Sequence, residues 1–316
     1  MAKQDANKAT RNNVSPPTNH RIRGLKLAEL SAEVKAVIQR IAQIVSSSAG
    51  GLDLQIRDGY INIYYRGGCI WKVDKITPGS RELLFSTDEK YFHRGKLQPP
   101  VDSSWLPGPR DGLEAWNTVR GQLEAVMVDW FNLHPKAERT DQHTCACNHL
   151  VNKASKWIVV DIEYAAWLHG RKGALAATNS RRLCRFDMVA FERASLDTKD
   201  ELLVYLVEFK VKEGALAGTS GVISHAKDFR QLLCNADDEK ARSALKKSIK
   251  NIIREKVSLG LLPGVPTETA DREIVCRPAF VLKNVDRTRS EPAEIQGILA
   301  SCSDEKLWLP CDSFTE

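Results

Sequence analysis

The chain has 316 residues, and its 46 Lys and Arg outnumber its 40 Asp and Glu, which gives a formal net charge of +6. With 42% hydrophobic and 27% charged residues, the composition is typical of a folded globular protein. It excludes a collagen, a long low-complexity chain and a small disulfide scaffold. Because a domain usually takes about 100–200 residues, this length predicts two domains.

The sequence also predicts a cytoplasmic protein that does not interact with a membrane. No apolar run approaches the ~18 residues that a membrane helix needs. The first residues are polar and lack the apolar centre of a signal peptide. The eight cysteines are scattered, which is typical of a reducing compartment and not of a secreted disulfide framework.

The first third of the chain predicts an arm, a small domain and a linker. Residues 1–24 are polar and basic, and we expect them to be disordered. Apolar residues at helical spacing predict a helix over 25–46. Three short alternating runs with glycine turns between them then predict an antiparallel meander, so 25–93 forms a helix-plus-meander domain. The proline-rich segment 94–110 predicts a linker.

The remaining residues, 111–316, predict a second domain in which helices and strands alternate. A helix is expected first, followed by three strands, two helices, one strand and a short helix, at 111–133, 157–165, 183–191, 202–211, 220–234, 236–258, 279–285 and 292–301. This order is typical of an α/β fold with a mixed sheet.

The second and third strands of this domain bring ionisable side chains together. Strand side chains alternate, so Glu208 and Lys210 share one face and Phe209 takes the other. A symmetric hairpin about the polar turn at 195–200 places Asp187 directly opposite Glu208, within ~5 Å at Cβ. The sequence therefore predicts two carboxylates and one ammonium group at a single place on the sheet.

Two opposed carboxylates in an apolar sheet repel each other and lose hydration. A divalent cation removes both penalties, and carboxylate oxygens suit Mg²⁺, for which Mn²⁺ can substitute. The Lys210 ammonium would stabilise developing negative charge or help to deprotonate a water. The alternative is a solvated face of a half-buried hairpin, on which Lys210 simply pairs with Glu208.

Asp187, 20 intervening residues and then Glu208-x-Lys210 on the next strand resemble the PD-(D/E)xK nuclease superfamily, which includes restriction endonucleases and Holliday-junction resolvases. The predicted element order also resembles its restriction-endonuclease-like α-β-β-β-α-β core. The resemblance implies that Asp187 and Glu208 are metal ligands and that Lys210 is the catalytic lysine. Phe186 stands where the motif has its proline, a position that often departs from proline in the superfamily.

These nucleases often add an acidic residue from the first helix or strand. The candidates are Glu124 on the preceding helix and Asp161 and Glu163, which share one face of the first strand. We favour Glu163, as a catalytic residue and metal ligand, because it lies closest to the end of that strand.

Two further groups predict contacts with a nucleic acid. A stretch of basic residues without an acid lies between the first two strands and would hold a phosphate backbone: Arg171, Lys172, Arg181, Arg182 and Arg185. His225, Asp228 and Gln231 recur every three residues on the helix after the lysine strand. In some families of the superfamily polar residues there contact the substrate, and we expect His225 and Gln231 to do so. The alternatives are a solvated loop and a polar helix surface.

The sequence thus predicts a Mg²⁺-dependent nuclease that hydrolyses phosphodiester bonds, in DNA in preference to RNA, and that acts in genome defence or repair. A homo-oligomer or a partner subunit is compatible with this class. The alternative is a non-catalytic nucleic-acid-binding or assembly module that keeps the nuclease fold. The segment His143-x-Cys145-x-Cys147-x-His149 lacks the spacing of structural zinc sites, and we expect a loop with free thiols there.

Overall fold

The computed structural model describes most of both predicted domains. The described residues are 21–80, 83–88, 91, 121, 123–169, 181–197, 200–211, 221–283, 290–302 and 307–314. The predicted linker 94–110 and residues 1–20 of the predicted arm lie outside this set.

The end of the predicted disordered arm, residues 21–24, is packed against the rest of the protein. Arg23 forms an ion pair with Asp161 of the second domain. Gly24 N donates to Arg57 O at 3.1 Å. A buried carboxylate and a backbone acceptor therefore hold Arg23 and Gly24 at the end of the predicted arm.

The first domain is a helix followed by an antiparallel meander, as the sequence predicts. Helix α1 begins at Ala32, later than expected, because Ser31 caps it by accepting from Val34 N and the residues before it form a single 3-10 turn. The helix and the strands have the bounds α1 Ala32–Ser46, β1 Leu52–Ile56, β2 Ile61–Tyr65, β3 Gly68–Asp74 and β4 Leu84–Ser86. Strand β4 was not predicted, and it extends the sheet in the order β1-β2-β3-β4.

In the described part of the second domain, helices and strands overlap each of the predicted ones, and further elements occur that the sequence did not predict. Residues 111–120 of the predicted first helix and residues 284 and 285 of the predicted last strand lie outside the described residues. A helix, α2, covers 123–133. The others are α3 Ala137–Val151, β5 Trp157–His169, β6 Arg181–Glu192, β7 Glu201–Lys210, α4 Val222–Cys234, α5 Glu239–Ser258, β8 Glu273–Leu282, α6 Ser290–Leu299 and β9 Trp308–Leu309. Helix α3 corrects the expectation of a loop at 143–149.

The second sheet is mixed, with the order β5-β6-β7-β8-β9. Strand β6 runs antiparallel to both of its neighbours, whereas β7, β8 and β9 run parallel. Helices α4 and α5 connect β7 to β8, as a crossover between parallel strands requires. The expectation of an α/β protein with a mixed sheet is confirmed.

Each face of the second sheet carries an apolar layer. Val204 and Leu206 of β7 belong to the larger hydrophobic cluster, which also includes residues of α4 and α5. Tyr205 and Val207 face the other way and pack with Ala146 of α3. The larger cluster continues into α1 and the first sheet, so the two predicted domains share one core. In the described part of the chain, no helix is both long enough and apolar enough to cross a membrane.

Candidate functional site

The register between β6 and β7 is the one that the symmetric hairpin predicts. Met188 pairs with Val207, and two further pairs continue this register along the strands. Asp187 and Glu208 are the next residues in the same register. At this position the Asp187 side chain makes the hydrogen bond to the neighbouring strand, since its Oδ2 accepts from Phe209 N at 2.7 Å. This bond fixes the Asp187 carboxylate against the backbone of β7.

Glu163 of β5 lies opposite Asp187 of β6, on the edge of β6 that faces away from β7. The pairs Ile162–Met188 and Tyr164–Phe186 flank it, so Glu163, Asp187 and Glu208 occupy one row across three strands. Glu163 has φ of 51°, and it is the one non-glycine residue with positive φ inside a strand of the described chain. A left-handed residue within a strand is strained and is common at functional sites.

Two side chains from other elements hold the Glu163 carboxylate. Tyr64 of β2 donates from its hydroxyl to Oε2 at 2.9 Å. Arg139 of α3 lies 3.8 Å from Oε1. The exposed Glu163 side chain therefore has a fixed orientation, although it projects from an irregular point of β5.

The two charged residues at the end of β7 form a buried ion pair. Lys210 Nζ lies 2.6 Å from Glu208 Oε1, and the same oxygen lies 3.1 Å from His225 Nε2 of α4. Glu208 is only 2% exposed and Lys210 8%. His225, which the sequence predicted to lie near the chemistry, thus contacts the glutamate of the motif.

A fourth acidic residue approaches from helix α3. Glu138 Oε1 lies 3.9 Å from Lys210 Nζ. Its charge also raises the pKa of Asp187 and that of Glu208. We call Glu138, Glu163, Asp187 and Glu208 the carboxylate cluster.

The surroundings of the carboxylate cluster disfavour the ionised form of two of its carboxyl groups. Burial raises the pKa of Asp187 to about 6, against the opposing effects of Lys210 and the Phe209 amide. Burial and the Asp187 carboxylate raise the pKa of Glu208 well above its usual range. Burial alone would lower the pKa of Lys210, but Glu208 and Asp187 outweigh it and raise that pKa. The lysine therefore stays an ammonium, and the cluster has more acidic groups than it can hold ionised without another cation.

This donor set fits a hard divalent cation. Carboxylate oxygens are the ligands that Mg²⁺ and Mn²⁺ prefer, and the two carboxylates with raised pKa values, the buried Glu208 and the half-buried Asp187, gain the most from a bound cation. Asp187 and Glu208 would hold the ion, with Glu163 or Glu138 as a further ligand. The single positive charge of Lys210 balances only part of the negative charge of the cluster, so a further cation would be stabilised there.

Asp161, the other acid of β5, has a different role. It is fully buried and forms ion pairs with Arg23 and with Arg57, the latter at 2.5 Å. Asp161 raises the pKa of Arg57, although burial opposes this. Two arginines thus neutralise Asp161, which links the first sheet to β5. The preference for Glu163 over Asp161 agrees with this arrangement.

The predicted substrate-binding residues are described only in part. Arg171 and Lys172 lie outside the described residues. Arg181 and Arg182 are the first two residues of strand β6. Arg185, further along β6, is exposed and pairs with Ala165 of β5.

Gln231 lies six residues after His225 on α4. Its amide donates to Asp238 Oδ2 at 3.0 Å, beyond the C-terminal end of the helix. Of the two residues predicted on this helix, it is therefore His225 that contacts the carboxylate cluster.

Tyr64, Arg139 and Glu138 were missed from the sequence. Tyr64 belongs to a sheet that sequence reasoning assigned to a separate domain, and nothing local connects it with Glu163. Glu138 and Arg139 open a helix that was not predicted. Pro135 was the available signal, since proline is frequent near the start of a helix, and the acidic residue Glu138 follows in the first turn.

The chain matches no family model, and neither the curated proteins nor the solved structures contain a significant match to it. Its function has to be inferred from the carboxylate cluster and its surroundings.

Proposed function

We propose that this protein is a metal-dependent nuclease of the PD-(D/E)xK type that hydrolyses phosphodiester bonds, with DNA as the substrate and Mg²⁺ as the cofactor. The observation that carries the proposal is the row of Glu163, Asp187 and Glu208 across three adjacent strands, with Lys210 paired to Glu208. Two of these acids, Asp187 and Glu208, have raised pKa values beside one lysine, and strongly perturbed pKa values cluster at functional sites.

The topology of the second sheet supports the proposal. A helix precedes three antiparallel strands, and a helical crossover leads to a fourth strand parallel to the third. This is the order expected of a restriction-endonuclease-like core. Asp187 lies on the second of these strands, and Glu208 and Lys210 lie on the third, as the motif requires.

A bound Mg²⁺ would supply Lewis-acid polarisation of the phosphodiester and of the attacking water. Lys210 keeps its proton, so its role is to donate hydrogen bonds to the phosphate and to stabilise the charge that develops in the transition state. Glu208 orients that lysine through its 2.6 Å contact. His225 of helix α4 also contacts Glu208, with its Nε2 3.1 Å from Oε1.

The Asp187 carboxylate is positioned in advance by the Phe209 amide, and Glu163 by Tyr64. Ligands that are already oriented lose little entropy when a cation binds. Arg185, exposed on β6 two residues before Asp187, would contact the phosphate backbone beside the cleaved bond. A cytoplasmic enzyme of this kind would serve genome defence or repair.

The decisive experiment measures cleavage of supercoiled plasmid, linear duplex DNA, single-stranded DNA and RNA in Mg²⁺, in Mn²⁺ and in EDTA. The wild-type protein, Lys210→Met, Lys210→Arg and the control Lys246→Met are compared. Lys246 is a half-buried lysine that pairs with Glu273, remote from the motif in sequence. We expect metal-dependent cleavage of DNA, its loss in Lys210→Met and its retention in Lys246→Met.

Two outcomes would overturn the proposal. Cleavage that persists in EDTA or in Lys210→Met would exclude this mechanism. DNA binding without cleavage in either metal, unchanged by the Lys210 substitutions, would instead support a non-catalytic nucleic-acid-binding module.

A further inference from the structure

Three side chains of the kinds that ligate metals, from the first sheet and helix α3, lie close together. One ligand atom each from Asp53, His143 and Cys147 lie within 4.8 Å of one another. Asp53 belongs to β1, while His143 and Cys147 are one turn apart on α3. The three residues are 2%, 6% and 2% exposed, so the cluster is buried.

One distance in the cluster is close to an edge of a zinc coordination sphere. His143 Nε2 lies 3.6 Å from Cys147 Sγ. With Zn–S of about 2.3 Å and Zn–N of about 2.0–2.1 Å, tetrahedral geometry requires an N···S separation of about 3.5 Å. Zinc accepts thiolate, imidazole and carboxylate together, whereas Mg²⁺ prefers oxygen alone. The mixed donor set therefore selects a different ion from the carboxylate cluster.

The residues around the three side chains orient them as metal ligands. Burial lowers the pKa of His143, while the nearby backbone of Gly51 acts in the opposite direction. Gln55 Nε2 donates to Asp53 Oδ2 at 2.5 Å. Lys256 Nζ, which is also buried, donates to Gln55 Oε1 at 3.2 Å. A ligating histidine usually donates its second ring N–H to a carbonyl or carboxylate, and ligating carboxylates are hydrogen-bonded in turn.

The cluster is separate from the proposed active site. Glu138 opens α3, and Cys147 follows nine residues later, about 14 Å along the helix axis. Burial raises the pKa of the Cys147 thiol, Asp53 also raises it, and Lys256 lowers it. A zinc ion would hold the thiolate in spite of this burial, since a coordinating thiol is deprotonated outright.

We propose that Asp53, His143 and Cys147 bind one Zn²⁺, with a water as the fourth ligand, and that this ion fastens helix α3 to the first sheet. The site is too buried for a substrate, so its role is to hold the helix whose first turn carries Glu138 and Arg139. The proposal is independent of the nuclease activity, because its ligands and its ion are different.

The test begins with wild-type protein purified without added metal, whose zinc content is measured by elemental mass spectrometry. We expect about one zinc per chain, bound tightly enough to survive dialysis. After removal by a strong chelator, the protein should rebind one Zn²⁺, and Co²⁺ in its place should give a thiolate-to-cobalt charge-transfer band. Chelation should also lower the Tm, which zinc should restore.

Matched variants identify the ligands. Cys147→Ser and His143→Ala should lose the zinc and the cobalt band. Cys145→Ser removes a buried thiol two residues away on the same helix and should keep both. Glu208→Gln, which alters the carboxylate cluster, should also keep its zinc.

The wild-type measurements decide the question even where a variant fails to fold. A zinc-free wild-type protein that gives no cobalt–thiolate band would overturn the proposal. Zinc that is lost in Glu208→Gln but kept in Cys147→Ser would also overturn it, since the ion would then belong to the carboxylate cluster.

Discussion

The Tyr64 hydroxyl lies 2.9 Å from Glu163 Oε2, so a side chain of the first sheet holds a carboxylate of the second. Arg57 Nη2 lies 3.4 Å from the same hydroxyl, and Asn62 Nδ2 lies 3.3 Å from it. Burial raises the pKa of Tyr64, so the hydroxyl remains a donor at every physiological pH. The first domain is therefore part of the proposed active site and not an independent attachment.

Tyr64→Phe tests this relationship. The substitution removes one hydrogen bond worth about 1 kcal/mol, which corresponds to about a fivefold change in an equilibrium constant. We expect the Mg²⁺ concentration for half-maximal cleavage to rise by about that factor. Tyr65→Phe, at the next position of β2, is the control and should leave the metal dependence unchanged. Equal effects of the two substitutions would contradict a specific role for Tyr64.

Asp187→Asn tests the cost of the buried charge. The pKa of Asp187 is raised from 3.8 to about 6 by burial. A raised carboxyl pKa contributes stability below pH about 4 that is lost as the pH rises through about 6, because the unfolded chain ionises more readily than the folded one. The amide variant keeps an acceptor for Phe209 N and escapes this loss.

We therefore expect Asp187→Asn to become more stable than the wild-type protein as the pH rises from 4 to 7, by up to about 3 kcal/mol. Urea unfolding in EDTA at several pH values measures the difference. The exposed Asp200→Asn serves as the control and should follow the wild-type curve. Parallel curves for Asp187→Asn and wild type would show that ionisation of Asp187 does not destabilise the folded protein. Cleavage should be lost in Asp187→Asn at every pH.

His225→Ala tests the support of Glu208 from helix α4. The His225 contact with a buried carboxylate is worth about 1.5–3 kcal/mol, so the rate of cleavage should fall about 10- to 100-fold. Single-turnover kinetics at saturating metal separate this loss from weaker metal binding. Lys227→Ala, an exposed position on the same helix, should cleave at the wild-type rate. A wild-type rate for His225→Ala would remove the histidine from the proposed mechanism.

The sequence was sufficient for the β6–β7 hairpin because strand alternation and a short polar turn together define a register. Asp187, Glu208 and Lys210 could therefore be placed before any coordinates were known. Glu163 was named from its position on β5, but its left-handed backbone and its contact with Tyr64 depend on packing between two sheets that are distant in sequence.

Helix α3 could not be predicted because its buried face is largely polar. Gln142, His143 and His149 are buried where an amphipathic helix would normally place leucine or valine. Hydrophobic periodicity is the main sequence signal for a helix, and here it is weak. Glu138 at its start and the cluster around Cys147 became visible only once the helix was known.

Asp161→Asn separates the two acids of β5. Asp161 is buried between two arginines, so the substitution leaves both cations without their partner and should lower the free energy of unfolding by about 3–5 kcal/mol. Glu163→Gln alters an exposed carboxylate and should cost less than about 1 kcal/mol. At a temperature where both variants are folded, Asp161→Asn should still cleave and Glu163→Gln should not. The reverse pattern would make Asp161 the third acid of the site.

Arg185→Ala tests the path of the nucleic acid. Arg185 is exposed on β6, about 7 Å along the strand from Asp187, where a phosphate backbone crossing the carboxylate cluster would lie. Loss of one phosphate contact should weaken DNA binding for every sequence alike. It should also reduce the slope of log K against log salt by about 0.9.

Binding is measured in EDTA over a range of salt concentrations, so that cleavage does not interfere. Arg254→Ala removes an exposed arginine of α5 that pairs with Asp271, and it should leave the slope unchanged. An unchanged slope for Arg185→Ala would place the phosphate backbone elsewhere on the surface, because counterion release depends only on the phosphates that the protein neutralises.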